Sequence, residues 1–137
     1  MGTNDPFEYI VVGASCEQSL TVTQHETALH QGSGNQPVFS TPDMIALMEG
    51  TAVAAVAPLL PKGYDTVGIG VDIKHLAATV PGAVVSAKAV LVEIDGRRLT
   101  FEVEAHDPGG MIGKGRHERF IIHAERFMRR ARERMSK

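Results

Sequence analysis

The chain has 137 residues and a mass of 14.7 kDa, enough for one domain whose core needs no disulfide or metal support. Hydrophobic residues make up 43% and charged residues 22%, which excludes wholesale disorder. The 14 basic and 16 acidic side chains leave a net charge of −2, which excludes the cationic footprint of nonspecific nucleic-acid binding, and the single Cys16 excludes an internal disulfide.

Met1-Gly2-Thr3-Asn4-Asp5-Pro6 lacks the basic residues and apolar core of a secretion signal. No stretch reaches the ~20 apolar residues of a membrane span; the longest, Met44 to Leu60, is interrupted by Glu49, Gly50 and Thr51. A cytoplasmic protein without membrane contact is expected, with one domain over residues 1–137. Residues 17–24 alternate as a first strand. His30 to Pro37 has two glycines and no periodicity, so residues 30–37 form a loop placed to act as a lid. Thr41-Pro42-Asp43 supplies a capping side chain, a proline suited to a first turn and an early acid. From Met44 to Val56 the sequence is apolar almost all round, which predicts an enclosed helix, ended by Pro58 and Pro61-Lys62-Gly63.

Val67, Ile69, Val71 and Ile73 then alternate with Gly68, Gly70, Asp72 and Lys74. Val84 to Ile94 is a further strand, and Asp95-Gly96 a hairpin turn. Leu99, Phe101, Val103 and Ala105 alternate with polar residues, and Asp107-Pro108-Gly109-Gly110 turns the chain into Met111 to Ile122. One strand, one buried helix and four strands in meander order predict an α+β fold, with the sheet wrapped around the helix. Residues 123–136 read as a basic helix. Phe127, Ala131 and Met135 recur every fourth position, and Arg126, Arg129, Arg130, Arg132 and Arg134 stand against Glu125 and Glu133. Such a helix is more often a solvated face than a phosphate site.

Glu49 lies midway along the apolar helix, where an unpaired carboxylate costs several kcal/mol. It is a buried ion pair, a residue rotated to water, or a carboxylate placed for acid–base or nucleophilic work. Gly50 beside it costs roughly 1 kcal/mol against alanine, which implies a close approach to the backbone. Counting in twos from Val67 puts His75 on the face turned to the helix, where a histidine and a glutamate in one pocket tune each other's protonation. Thr41 is an ordinary helix cap, and eight residues of helix rise about 12 Å, too far for a Thr41–Glu49 hydrogen bond. Gly68-Ile69-Gly70 runs into a strand and is no dinucleotide turn. The six histidines show no ligand spacing, so no metal is expected. Arg116, His117, Glu118 and Arg119 read as surface charges paired across strands with Glu102 or Glu104.

Several blocks at consistent spacing carry a resemblance. Pro37-Val38-Phe39-x-Thr41, Leu47-Met48-Glu49, Gly68, His75-x-Ala77-Ala78-Thr79-x-Pro81-Gly82, Asp95-Gly96-Arg97-Arg98-Leu99, Ala105-His106-Asp107, Ile112-Gly113-x-Gly115 and His117-Glu118-Arg119 together resemble the fluoroacetyl-CoA thioesterase family over roughly residues 37–127. The resemblance implies a hot-dog fold, a homodimer and hydrolysis of an acyl-CoA thioester, with CoA entering only as part of the substrate and no other cofactor. It places Thr41, Glu49 and His75 at the family's catalytic positions, and Gly68, Arg119 and Phe39 in the substrate pocket.

Gly68 and His75 are of opposite parity and about 23 Å apart on an extended strand. Antiparallel pairing of this strand across a dimer axis would present Gly68 to the neighbouring subunit's His75. The fluoroacetyl-specific enzyme carries aromatic residues just before its Val-Phe-x-Thr motif. Here that stretch is Gly32-Ser33-Gly34-Asn35-Gln36, so an unfluorinated short or medium acyl-CoA is expected. Free N–H groups at the helix N-terminus would stabilise an oxyanion. The nucleophile is Thr41 with His75 as base and Glu49 as orienter, Glu49 attacking directly, or water activated by Glu49 and His75. Asp72, Lys74 and the basic helix are candidate contacts for the CoA end. A non-catalytic acyl-CoA sensor and a hot-dog enoyl-CoA hydratase are the alternatives.

Overall fold

The computed structural model describes residues 5–136, so the expectation about a leader at residues 1–4 lies outside them. In chain order the elements are β1 (Ser15–Thr21), a short α1 (Ala28–Gln31), α2 (Thr41–Val56), β2 (Tyr64–His75), β3 (Val84–Asp95), β4 (Arg98–Asp107), β5 (Gly110–His123) and α3 (Ala124–Met135). β1 stops three residues before the expected end. Val22 leaves the ladder to bond the Ala83 carbonyl, and Thr23 caps a short 3-10 turn by accepting from the His25 N–H at 3.1 Å.

The sheet order is β1-β3-β4-β5-β2, every pair antiparallel. The expected four-strand meander holds for β3, β4 and β5, whereas β2 pairs with the far side of β5 instead of with β3. α2 lies between the two edge strands: Thr41 at its start touches His75 at the end of β2, and Thr51 touches Gln18 of β1. The chain has therefore already reached the far edge where α2 begins, and β2 runs back alongside the helix from Gly68 near Glu49 to His75 near Thr41.

Met44, Met48, Ala52, Ala55 and Val56 of α2 are buried with Val85, Ala87, Ala89 and Leu91 of β3, Leu99, Phe101, Val103 and Ala105 of β4, and Ile112 and Ile121 of β5. The sheet wraps one side of the helix only. Ala46 and Gly50 are exposed, and Ile45, Leu47, Glu49 and Val53 are half-buried, so the enclosed helix expected from composition is open along one face. Thr41–Leu59, with its final 3-10 turn, is long and apolar enough to cross a membrane, yet its apolar face packs on the sheet. The close approach expected at Gly50 is absent. A Cβ there would lie 3.7 Å from Gln18 Oε1, an ordinary contact.

A β-bulge decides which side chains of β2 face α2. Gly68 pairs with Arg119 and Gly70 with Glu118, leaving Ile69 unpaired. One extra residue reverses the alternation. Thr66 and Gly68 therefore lie opposite the buried Ile121 and Arg119, while Val71, Ile73 and His75 lie opposite His117, Gly115 and Gly113. Counting in twos from Val67 put Val67 and Ile69 on the same side as His75. Val67 instead sits opposite the outward Phe120, and Ile69 is 52% exposed.

Candidate active site

Polar groups gather at both ends of β2. At the His75 end, Ser40, not Thr41, caps α2. Its hydroxyl accepts the Asp43 N–H at 3.0 Å and meets the Asp43 carboxylate in a short contact. Thr41 becomes the first helical residue, with its side chain free of capping duty. Thr41 Oγ1 lies 2.7 Å from His75 Nδ1. Burial lowers the His75 pKa, partly offset by the Ala77 backbone. Burial favours the neutral ring, and in the tautomer with the ring proton on Nε2 the Nδ1 accepts from the threonine hydroxyl. His75 Nε2 is buried without a hydrogen-bond partner among the described residues.

A cavity of about 410 Å³ opens beside this pair, lined by Ser33, Val38, Phe39, Thr41, His75 and Leu76 among others. Phe39 is buried, its N–H bonded to the Thr79 carbonyl at 2.8 Å, and the Thr79 hydroxyl donates to Asp107 Oδ2 at 2.7 Å. This chain of bonds ties the loop after β2 to the turn after β4. The expected loop over residues 30–37 begins later, because His30 and Gln31 belong to α1; of the remainder Ser33 lines the cavity, beside Ala28 of α1, and residues 32–36 are exposed. The oxyanion expectation narrows here. Pro42 has no N–H and Ser40 occupies those of Asp43 and Met44, which leaves the Thr41 amide.

The Gly68 end holds Glu49, Thr66, His117 and Arg119. Arg119 is buried and held from three sides. Its Nε donates to Thr66 Oγ1 at 2.8 Å, Nη2 to the Thr66 carbonyl at 2.9 Å, and Nη1 to His117 Nε2 at 3.0 Å. His117 Nδ1 donates to the Gly70 carbonyl at 2.8 Å. One ring nitrogen donating and the other accepting defines a neutral histidine. Burial is the main cause of its lowered pKa, reinforced by Arg119 and opposed by the Gly70 bond, Glu49 and Glu118. Burial also draws the Arg119 pKa down, against the attraction of Glu49 and Asp65.

Glu49 Oε2 stands 3.9 Å from His117 Nε2, with its side chain 40% exposed. That nitrogen accepts from Arg119, so the cation facing Glu49 is the guanidinium. Gly68 leaves room for all three groups. A Cβ on it would lie 3.0 Å from Glu49 Oε2 and 3.3 Å from Arg119 Nη1 and His117 Cε1. Glu49 is thus neither an unpaired core charge nor a residue simply rotated to water.

Of the residues singled out from sequence, the structure joins Thr41 with His75 and Phe39, and Glu49 with Gly68 and Arg119. It does not join the two groups within one chain. The expectation that residues 116–119 form a single surface cluster is half corrected. Arg116 pairs with Glu102 at 3.3 Å and Glu118 with Arg98 at 3.6 Å, while strand alternation turns His117 and Arg119 inward. The sequence placed His117 only among the surface charges and in the family's block, although its parity with Arg119 and Ile121 signalled a buried residue. Among the described residues, no three His, Cys, Asp or Glu side chains are grouped to hold a metal ion.

A sheet of this order around a helix that carries the threonine and the glutamate is a hot-dog thioesterase architecture. A thioesterase-superfamily protein of Thermus thermophilus superposes with a TM-score of 0.83 at 31% identity, covering 93% of this chain and 96% of its own. Residues 22–125 match the fluoroacetyl-CoA-specific thioesterase family, and the chain belongs to that family. It is 38% identical over 128 residues to the fluoroacetyl-CoA thioesterase of Streptantibioticus cattleyicolor, covering 89% of this chain and 92% of that one. A mutant of the fluoroacetyl-CoA-specific thioesterase, crystallised with fluoroacetate and CoA, superposes with a TM-score of 0.81 at 38% identity, covering 86% of this chain and 99% of that one.

Proposed function

We propose that this protein hydrolyses a short or medium acyl-CoA thioester to the free acid and CoA, with Thr41 as nucleophile and His75 as base. The 2.7 Å contact between Thr41 Oγ1 and His75 Nδ1 carries the proposal. A hydroxyl is a weak nucleophile until a base takes its proton, and this contact lies within the reach that proton transfer requires. Thr41 Oγ1 attacks the thioester carbonyl while its proton passes to His75. The tetrahedral intermediate expels CoA, whose sulfur takes the proton back. A thiol, with a pKa of about 8.5, leaves more readily than an alkoxide. Water then attacks the acyl-threonine with His75 again as base, releasing the acid and restoring the hydroxyl. The separation of Glu49 from this pair within one chain disfavours Glu49 as its orienting group in cis.

The working unit is a homodimer formed through β2. β2 is an edge strand of 12 residues, with Ile69 52% and Val71 50% exposed. An unpaired edge bearing exposed apolar side chains is suited to pairing with another strand. Antiparallel β2–β2 pairing about a two-fold axis between Gly68 and His75 brings the partner subunit's Glu49, Gly68 and Arg119 to Thr41 and His75. A cationic guanidinium and a carboxylate then complete the pocket. The lid residues Gly32–Gln36 carry no aromatic side chain to screen it, which favours an unfluorinated acyl group. Both protein and substrate are assigned to the cytoplasm.

Free-thiol release from acetyl-, fluoroacetyl-, butyryl-, hexanoyl- and phenylacetyl-CoA tests the activity, with Thr41→Ala, Glu49→Gln and His75→Ala beside the unaltered protein. Release abolished by all three substitutions is expected. Binding without release from any member would overturn the assignment and favour a sensor. Co-expressing His75→Ala with Glu49→Gln tests the shared site. Half of the mixed dimer's sites would be intact, so roughly a quarter of full activity should return. A mixture as inactive as its parents would refute the dimer arrangement.

A further inference from the structure

Behind the strand that carries Arg119, α3 and β5 enclose a groove of about 450 Å³. Arg126, Arg130 and Arg134 line it from α3 and Arg97 from the β3–β4 turn, with Phe120 and Phe127 between them. The three helix arginines recur every fourth residue, so their side chains share one face at intervals of about 6 Å. Neighbouring like charges at that spacing repel. Among the described residues, no carboxylate stands within 4.0 Å of any of the four guanidiniums. Arg97 instead lies 5.2 Å from the Phe7 ring centre and 5.8 Å from that of Tyr64, contacts that position it while leaving its N–H donors available.

The groove also offers apolar surface: Phe120 is 39% and Phe127 38% exposed. Guanidiniums bind phosphates through paired N–H donors, and an aromatic ring gives a flat base something to stack on. A second charged groove makes the contrast. It is lined by Lys74, Lys114 and Arg116 but equally by Asp72, Glu102 and Glu104, with Arg116 already paired to Glu102 at 3.3 Å. That groove is neutralised from within, which removes the basis for expecting Asp72 and Lys74 to hold the CoA end.

We propose that the arginine groove between α3 and β5 binds an adenine nucleotide bearing several phosphates. Two sources share that chemistry: the adenosine 3′-phosphate 5′-diphosphate end of CoA, which rests on the proposed thioesterase function, and a free nucleotide. Phe120, on the groove, directly follows Arg119 in β5 and pairs with Val67, the residue before Gly68. The groove and the Gly68 end of the acyl site therefore lie on opposite faces of the same two strands.

The probe is adenosine 3′,5′-bisphosphate, titrated calorimetrically into the full-length protein and into Arg126→Gln/Arg130→Gln. Both positions are exposed and glutamine is a good helix former, so α3 should persist, as circular dichroism would verify. The double variant is expected to bind roughly tenfold more weakly at low salt, and binding by the unaltered protein should weaken as salt rises. Absence of binding by the unaltered protein, or equal affinity in the variant, would overturn the proposal. The source is resolved by KM for the best acyl-CoA and for its acyl-pantetheine analogue, which lacks the nucleotide. A rise confined to the acyl-CoA assigns the groove to CoA, whereas two unchanged KM values beside lost bisphosphate binding assign it to a free nucleotide. Calorimetry needs no turnover, so the groove is tested even if the chain hydrolyses no thioester.

Discussion

Gly113→Ala probes how the sheet sets the Thr41–His75 contact. Gly113 lies opposite His75 in the β2–β5 ladder, on the side turned to α2. A Cβ there would stand 2.5 Å from Met44 Sδ, 2.7 Å from Met44 Cε and 3.2 Å from the Lys74 carbonyl oxygen. Ordinary contacts are about 3.5–4.0 Å, so the added methyl lacks roughly 1 Å. The Lys74 carbonyl is backbone and cannot swing aside, and Met44 is completely buried. Overpacking of this kind costs about 1–3 kcal/mol. At about 2.1 cal/mol/K per residue, a chain of 137 residues loses roughly 3–4 °C of Tm for each kcal/mol, or 3–10 °C in all.

Met44 follows Thr41 within the first turn of α2, so any retreat of the methionine moves the threonine relative to His75. A displacement near 1 Å costs up to about 100-fold in rate. The decisive measurement is a double-mutant cycle with Met44→Ala, read by calorimetric Tm and by thiol release. Met44→Ala alone should cost about 2–5 kcal/mol through the cavity it leaves. The methyl at position 113 fills part of that cavity, so the double variant should be about 1 kcal/mol or more better than the sum of its parts. Additive effects within about 0.5 kcal/mol, or Gly113→Ala with unchanged Tm and rate, would refute the steric account.

The histidines carry separate pH signatures. His75 must be neutral to accept the Thr41 proton, and burial lowers its pKa, so kcat/KM should fall only on the acid side of the ordinary value near 6.5; an acid limb above that value would contradict the assigned base. His117 is also held below its ordinary value. As pH falls below about 6.5 the unfolded chain takes up the proton first, so the His117 contribution to stability is complete above that pH. It is lost as pH descends toward the folded-state pKa. Urea midpoints at pH 7.5 and 5.5 should therefore converge in His117→Gln, and an unchanged gap would exclude His117 as its source. Thr66→Val removes the acceptor of Arg119 Nε at a cost of about 1.5–3 kcal/mol. Thr66→Ser should restore most of it, and equal losses in the two variants would point to packing instead.

Much of this protein was legible in its residues. Alternation located β2 to β5, glycine and aspartate marked their turns, and the apolar run from Met44 to Val56 announced the central helix, because periodicity and turn chemistry are local properties. The spaced blocks from Pro37 to Arg119 carried the family. Tertiary structure decided what local pattern could not. The sheet placed β2 beyond β5, at the opposite edge from β1. The extra residue Ile69 reversed the strand's alternation, so Gly68 and His75 face the same side despite opposite parity. Ser40 took the cap and released Thr41 to His75, while Arg119 reached across to Thr66, 53 positions away, and drew Glu49 and His117 into a cluster of its own. Each outcome depends on which distant backbone lies alongside, and that is settled only when the whole sheet closes around the helix.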